Sequence, residues 1–164
     1  MKHVISAIVQ NAPGVLAHVA SMFAARGYNI DSLVVGRTED ANLSRMTIVV
    51  LGDDQVLEQV RKQLEKLVTT IRVRDFAQGD HVERDLMLVS VHTPADKRAE
   101  VIALVDLFRG RVVDVCRGSV MIELAGPEDK IEAFLDLVRP YGIRELARTG
   151  VIAVQRGKST PAEA

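Results

Sequence analysis

Short apolar runs and helically spaced apolar positions alternate along this chain, and the alternation occurs twice. Residues 4–9 form an apolar run of strand length, closed by Gln10-Asn11-Ala12-Pro13-Gly14, which is turn chemistry. From Val15 the spacing becomes helical, with Val15, Leu16, Val19, Met22 and Phe23 on one stripe, and Arg26-Gly27 supplies a stop. Two β-rich runs follow, residues 30–36 and Leu43–Leu51, separated by the polar residues 38–42. In the second, Met46, Ile48 and Val50 alternate with Arg45 and Thr47, the period of a half-buried strand. Asp53-Asp54 opens a second predicted helix carrying Val56, Leu57, Val60, Leu64 and Leu67, and residues 70–74 alternate as a further strand. The order is β, α, β, β, α, β.

The rest of the chain repeats that order without repeating its residues. Residues 86–91 predict a strand, and residues 95–108 a helix with Val101, Leu104, Val105 and Phe108 inward. Residues 112–115 and 120–124 predict strands around the turn Arg117-Gly118-Ser119. Pro127 stands at the first turn of a helix bearing Ile131, Phe134, Leu135 and Val138. Residues 143–146 and 151–154 then close the unit. Gln78-Gly79-Asp80-His81 reads as a linker, so the expected domains are 1–78 and 79–164, the second ending in a polar tail from Lys158.

Right-handed crossovers give each unit an antiparallel sheet of order 4-1-3-2 with both helices on one face. The expected class is therefore α+β, two tandem ferredoxin-like βαββαβ domains. In such a sheet the face away from the helices lacks a cover and the second strand lies at an edge. Both invite a partner, and a dimer through paired edges is expected.

Composition narrows the function. Of 164 residues 48% are hydrophobic but only 4% aromatic, with no Trp, so the core must be aliphatic. Residues 1–78 hold 9 Lys and Arg against 8 Asp and Glu, and residues 79–164 hold 12 against 14. Neither half has the basic footprint of a nucleic-acid binder. An RNA-binding module of the same element order would also need aromatics on its central strands, where Met46, Ile48 and Val50 stand. Cys116 is the only cysteine, which excludes an intrachain disulfide, fits a reducing cytoplasm and reads as a buried or inert thiol. No run approaches the ~18 apolar residues of a membrane span.

Catalytic chemistry is missing from the pattern. His3, His18, His81 and His92 are scattered without metal-ligand spacing, and no glycine-rich phosphate loop occurs. Asp53-Asp54 and Glu128-Asp129 stand where helix starts favour acidic residues. No catalytic, metal or cofactor site is expected in this chain.

A small ligand has one candidate place. The turn Asn11-Ala12-Pro13-Gly14 leads into a helix whose first amides lack intrahelical acceptors and suit a carboxylate. Gly14 has no Cβ to keep a ligand from the amides of Gly14, Val15 and Leu16, and Asn11 offers a side-chain amide. The same residues also describe an ordinary β-turn with Pro second and Gly third, and the residues alone leave both readings open. Asn29, a poor strand former at the start of the edge strand, would meet the Gly14 turn of a second chain if edges paired. Ile30 and its apolar neighbours could then frame an aliphatic side chain. Equally, Asn29 could simply follow the helix stop.

These stretches carry a resemblance. Residues 11–16, 26–33 and Leu43-Ser44-Arg45-Met46-Thr47-Ile48 resemble the ACT domain of the acetolactate synthase small subunit family. Residues 81–88, Phe108-Arg109-Gly110 and Ala147-Arg148-Thr149-Gly150 resemble it too, and the likeness runs from about His3 to Gly157. The resemblance implies a non-catalytic regulatory subunit acting in branched-chain amino-acid synthesis. It further implies a large subunit holding thiamine diphosphate, Mg²⁺ and FAD, activation of that subunit, and feedback inhibition, usually by valine. By matching position, the effector-binding residues would be Asn11, Gly14, Val15 and Leu16 from one chain with Asn29 and Ile30 from its partner. A stand-alone ACT-type amino-acid sensor is the alternative.

Overall fold

The structure, a computed structural model, describes residues 1–76 and 80–157. Gln78 and Gly79 of the expected linker and the tail from Lys158 lie outside the described residues. Two compact units form: Met1–Val82 with the described residues from Ile152, and Glu83–Val151.

The first unit runs β1 (Lys2–Gln10), α1 (Val15–Ala25), β2 (Ile30–Arg37), β3 (Leu43–Leu51), α2 (Asp54–Glu65) and β4 (Thr70–Asp75). Its sheet order is β2-β3-β1-β4, antiparallel throughout, so the inner strands are the first and third and β2 is an edge. Ile5, Ala7 and Val9 of β1 and Met46, Ile48 and Val50 of β3 meet Val19, Phe23, Val60 and Leu64 of the helices in one core. Each fully buried aliphatic side chain of this kind contributes about 1.5–3 kcal/mol. Asp53 caps α2 by accepting from Val56 N–H at 2.9 Å.

The second unit repeats the plan with β5 (His81–His92), α3 (Arg98–Leu107), β6 (Arg111–Cys116), β7 (Ser119–Gly126), α4 (Glu128–Val138), a 3-10 turn (Arg139–Tyr141) and β8 (Ile143–Arg148). The order is β6-β7-β5-β8, and a last strand, β9 (Ile152–Gln155), pairs with β5. All four residues expected inward on α4 are buried against the second core. Both units have the ferredoxin-like α+β arrangement.

Four local expectations change. Residues 95–97 precede α3 instead of opening it, because Lys97 and Arg98 N–H groups both close on Pro94 O. β5 starts at His81, several residues before its apolar run, because pairing rather than hydropathy extends it. The last strand groups with the first unit and does not complete the second sheet's four-strand path. Finally, the face away from the helices is not uniformly bare. In the first unit Ser6, Thr47 and Val49 on that face are buried. Phe76, whose N–H donates to Val4 O, continues β4 there, with the His81 ring 5.0 Å from its own. In the second unit Leu86 and Leu88 do remain exposed on that face.

One polar network ties β5 to the end of β8. Asp85, 2% exposed, accepts from Arg148 Nε at 2.7 Å, Gly150 N–H at 3.2 Å and Thr149 Oγ1 at 3.3 Å. Burial works against the Arg148 charge, but hydrogen bonds to Asp85 and Glu132 outweigh it and raise its pKa.

Candidate functional site

Pro13 and Gly14 form the centre of a type II turn. Val15 N–H donates to Ala12 O at 3.4 Å, and Gly14 has φ 84° and ψ −14°. That left-handed conformation is the reason for glycine here. α1 starts at this turn with no side-chain cap, and the Leu16 and Ala17 amides have no acceptor among the described residues. The β-turn and the uncapped helix start are thus one and the same object.

Asn11 secures the turn to its neighbour. Its N–H donates to Asn42 O at 2.7 Å and its Nδ2 to Ala41 O at 2.9 Å. Asp40 in turn orders that β2–β3 loop by accepting from Asn42 N–H and Nδ2 at 2.9 and 3.1 Å. The Asp40-x-Asn42 spacing is an Asx-type signal legible in the polar residues 38–42. Val15 is buried in the core, whereas Leu16 is 46% exposed. Leu16, although it shares the helical spacing, therefore lies outside the core and beside the turn.

Asn29 and Ile30 lie elsewhere. Asn29 is exposed just before β2, and Ile30 is partly buried against the first core. The Gly14 turn adjoins the other end of β2, since Arg37 pairs with Ser44 and Leu43 with Gln10. Eight residues of strand separate the two ends by about 26 Å. Within one chain, then, Asn11, Gly14, Val15 and Leu16 come together and Asn29 and Ile30 do not join them.

Among the described residues, no three His, Cys, Asp or Glu side chains gather as metal ligands would. No described helix is long and apolar enough to cross a membrane. Cys116, expected to be buried or inert, is exposed, with Sγ 3.5 Å from Asp114 Oδ2. It sits at the end of edge strand β6, where the sheet offers no cover.

The fold and the amide-lined turn define an ACT-type module, and residues 5–72 match the family model described as an AHAS small subunit-like ACT domain. Residues 84–157 match the model described as the small subunit of acetolactate synthase. The chain belongs to the acetolactate synthase small-subunit family, whose members are non-catalytic regulatory chains. It is 57% identical over 157 residues to the probable acetolactate synthase small subunit of Archaeoglobus fulgidus, covering 96% of this chain and 98% of that one. Identity to the isozyme 3 small subunit of Salmonella typhimurium is 45% over 96% of this chain and 97% of that one. The crystal structure of the Thermotoga maritima small subunit superposes with a TM-score of 0.88 at 41% identity, covering 96% of this chain and 99% of that chain.

Proposed function

We propose that this chain pairs with an acetolactate synthase large subunit carrying thiamine diphosphate, Mg²⁺ and FAD. In this reading it raises the activity of that subunit and confers feedback inhibition by valine, in the cytoplasm. Residues 1–78 sense the effector and dimerise, and residues 79–164 serve the regulatory contact. Valine's carboxylate takes the free amides after Gly14, with Asn11 beside it. Asn29 and Ile30 of a second chain close over its ammonium and isopropyl groups.

The observation that carries the reading is the separation of the two half-sites along edge strand β2. Two β2 strands paired antiparallel about a two-fold axis bring the Asn29 end of one chain to the Arg37 end of the other, beside the Gly14 turn. One geometry thus supplies both the dimer and the complete pocket. A bias of about 1–3 kcal/mol between two dimer packings is enough for ordinary feedback. A few charge-assisted hydrogen bonds and one buried isopropyl group supply energy of that order.

Calorimetry of the full chain with valine, leucine and isoleucine tests effector binding, and sedimentation tests the dimer. Reconstitution with a large subunit tests regulation. Saturable valine binding, one site per β2–β2 seam end, and valine-dependent loss of large-subunit activity are expected. No binding of any of the three would overturn the effector assignment. Binding without any effect on a large subunit would favour a stand-alone sensor.

A further inference from the structure

The second unit contains the counterpart of the Gly14 turn, rebuilt with cations. In the first unit the end of β1 is held by Gln10 N–H to Thr69 O and Asn11 N–H to Asn42 O. In the second, His92 N–H donates to Gly142 O at 2.8 Å and Thr93 N–H to Gly118 O at 2.9 Å. The same three connections therefore converge: strand to helix, hairpin turn, and helix to last strand. α3 also begins without a side-chain cap.

What differs is the side chains. Arg98 reaches over the hairpin turn, its Nη2 donating to Cys116 O at 2.8 Å and Arg117 O at 2.9 Å. Arg144 Nη2 lies 3.0 Å from His92 Nδ1. A guanidinium can only donate, so Nδ1 accepts and the imidazole proton sits on Nε2, leaving a second donor. Gly118 underlies the pair: a Cβ there would stand 3.5 Å from Arg144 Nη2 and 4.0 Å from His92 Cε1. None of the ion pairs among the described residues involves Arg98, Arg117 or Arg144. Nearby acids are placed otherwise: Glu100 engages Lys97 and Tyr141, Asp96 lies beside Lys97, and Asp114 faces Cys116.

The interior of the same end is incompletely satisfied. Thr93 is fully buried, yet its Oγ1 has no hydrogen-bond partner, and neither has buried Arg98 Nε. These are two of three such atoms among the described residues. Buried polar groups are ordinarily paired, so two orphaned atoms beside guanidiniums that have hydrogen bonds but no carboxylate partner mark a place completed by something else.

We propose that this end of the second unit binds a small oxyanion, a phosphate or a carboxylate, through Arg144 and His92, with Arg98 as the positioning residue that fixes the turn beneath. The site stands apart from the valine reading and does not depend on it.

Calorimetry of the full chain with inorganic phosphate and with acetate, at constant ionic strength set by sodium chloride, tests the proposal. Saturable binding of one of them is expected, the preferred ion identifying the ligand class. Arg144→Gln and His92→Gln should each weaken it about tenfold or more, as loss of a charge-assisted hydrogen bond does. Arg144→Lys should recover part of the affinity. Because Arg144 and His92 are exposed, the variants should melt with the parent, and that melt is checked first. No saturable heat with either ion, equal displacement by chloride, or unchanged affinity in the folded variants would overturn it.

Discussion

Replacing Gly14 separates backbone strain from ligand chemistry. Its φ of 84° is one that side-chain-bearing residues adopt at a cost of about 1–2 kcal/mol, yet a Cβ built there meets nothing within 4 Å. Gly14→Ala should therefore lower unfolding free energy by about 1 kcal/mol, or about 2–4 °C of melting temperature for a chain this size. Gly14→Asp should cost less, because Asp tolerates the left-handed region and a carboxylate at a helix start recovers about 0.3–1 kcal/mol. For valine the order reverses. The tethered carboxylate occupies the Leu16 and Ala17 amides and repels the ligand's own, so Gly14→Asp should abolish valine inhibition of a reconstituted enzyme. The methyl of Ala should only weaken it. Thermal melts and valine titrations on the same preparations decide the matter. A stable Gly14→Asp protein with full valine sensitivity would refute the site, and a loss above about 3 kcal/mol in Gly14→Ala would refute the unclashed strain argument.

Asn29→His should weaken valine binding by crowding the seam while leaving the melt of the chain unchanged, since Asn29 is exposed; calorimetry reads the affinity. Asp85→Asn should destabilise by about 1–3 kcal/mol in urea unfolding. That is less than for a wholly buried pair, since Arg148 is a quarter exposed and keeps Glu128 and Glu132. The Lys97–Glu100–Tyr141 cluster should show in pH dependence. Hydrogen bonds from Lys97 first, then Tyr141, hold the Glu100 carboxyl below its ordinary value, so its stabilisation is present near neutrality and lost as pH falls through the carboxylate range. The Tyr141 hydroxyl is raised by its bond to Glu100, so its contribution is present below the ordinary value of 10.0 and lost as pH climbs past it. Tyrosinate absorbance of the parent against Tyr141→Phe, in which Tyr28 alone remains, reads this directly.

Apolar periodicity carried most of the fold because the two cores are aliphatic and one-sided. Met46, Ile48 and Val50 alternate in sequence as they do in space, and the α4 stripe is buried as spaced. Periodicity failed where hydrogen bonding set the boundary. The polar residues of early β5 give no hydropathic signal, and α3 waits on the Pro94 carbonyl. Leu16 shares the helical spacing yet lies outside the core: an apolar residue next to a stripe is indistinguishable in sequence from one within it. At the candidate site, Pro13-Gly14 spelled its turn outright. The strand order already implied that Gly14 and Asn29 of one chain stand apart, and the register of β1, β3 and β2 agrees. His92, scattered in sequence, meets Arg144 only through the strand pairing.

Gly14 and Asn29 stand at opposite ends of β2, and under the proposed seam that separation has a genetic consequence. In a mixed dimer of one Gly14→Asp chain and one Asn29→His chain, one junction collects both lesions and the other collects neither. Two alleles that are each defective for valine response would therefore complement when co-expressed, restoring a single intact junction per pair. A pocket contained within one chain could never behave in this way.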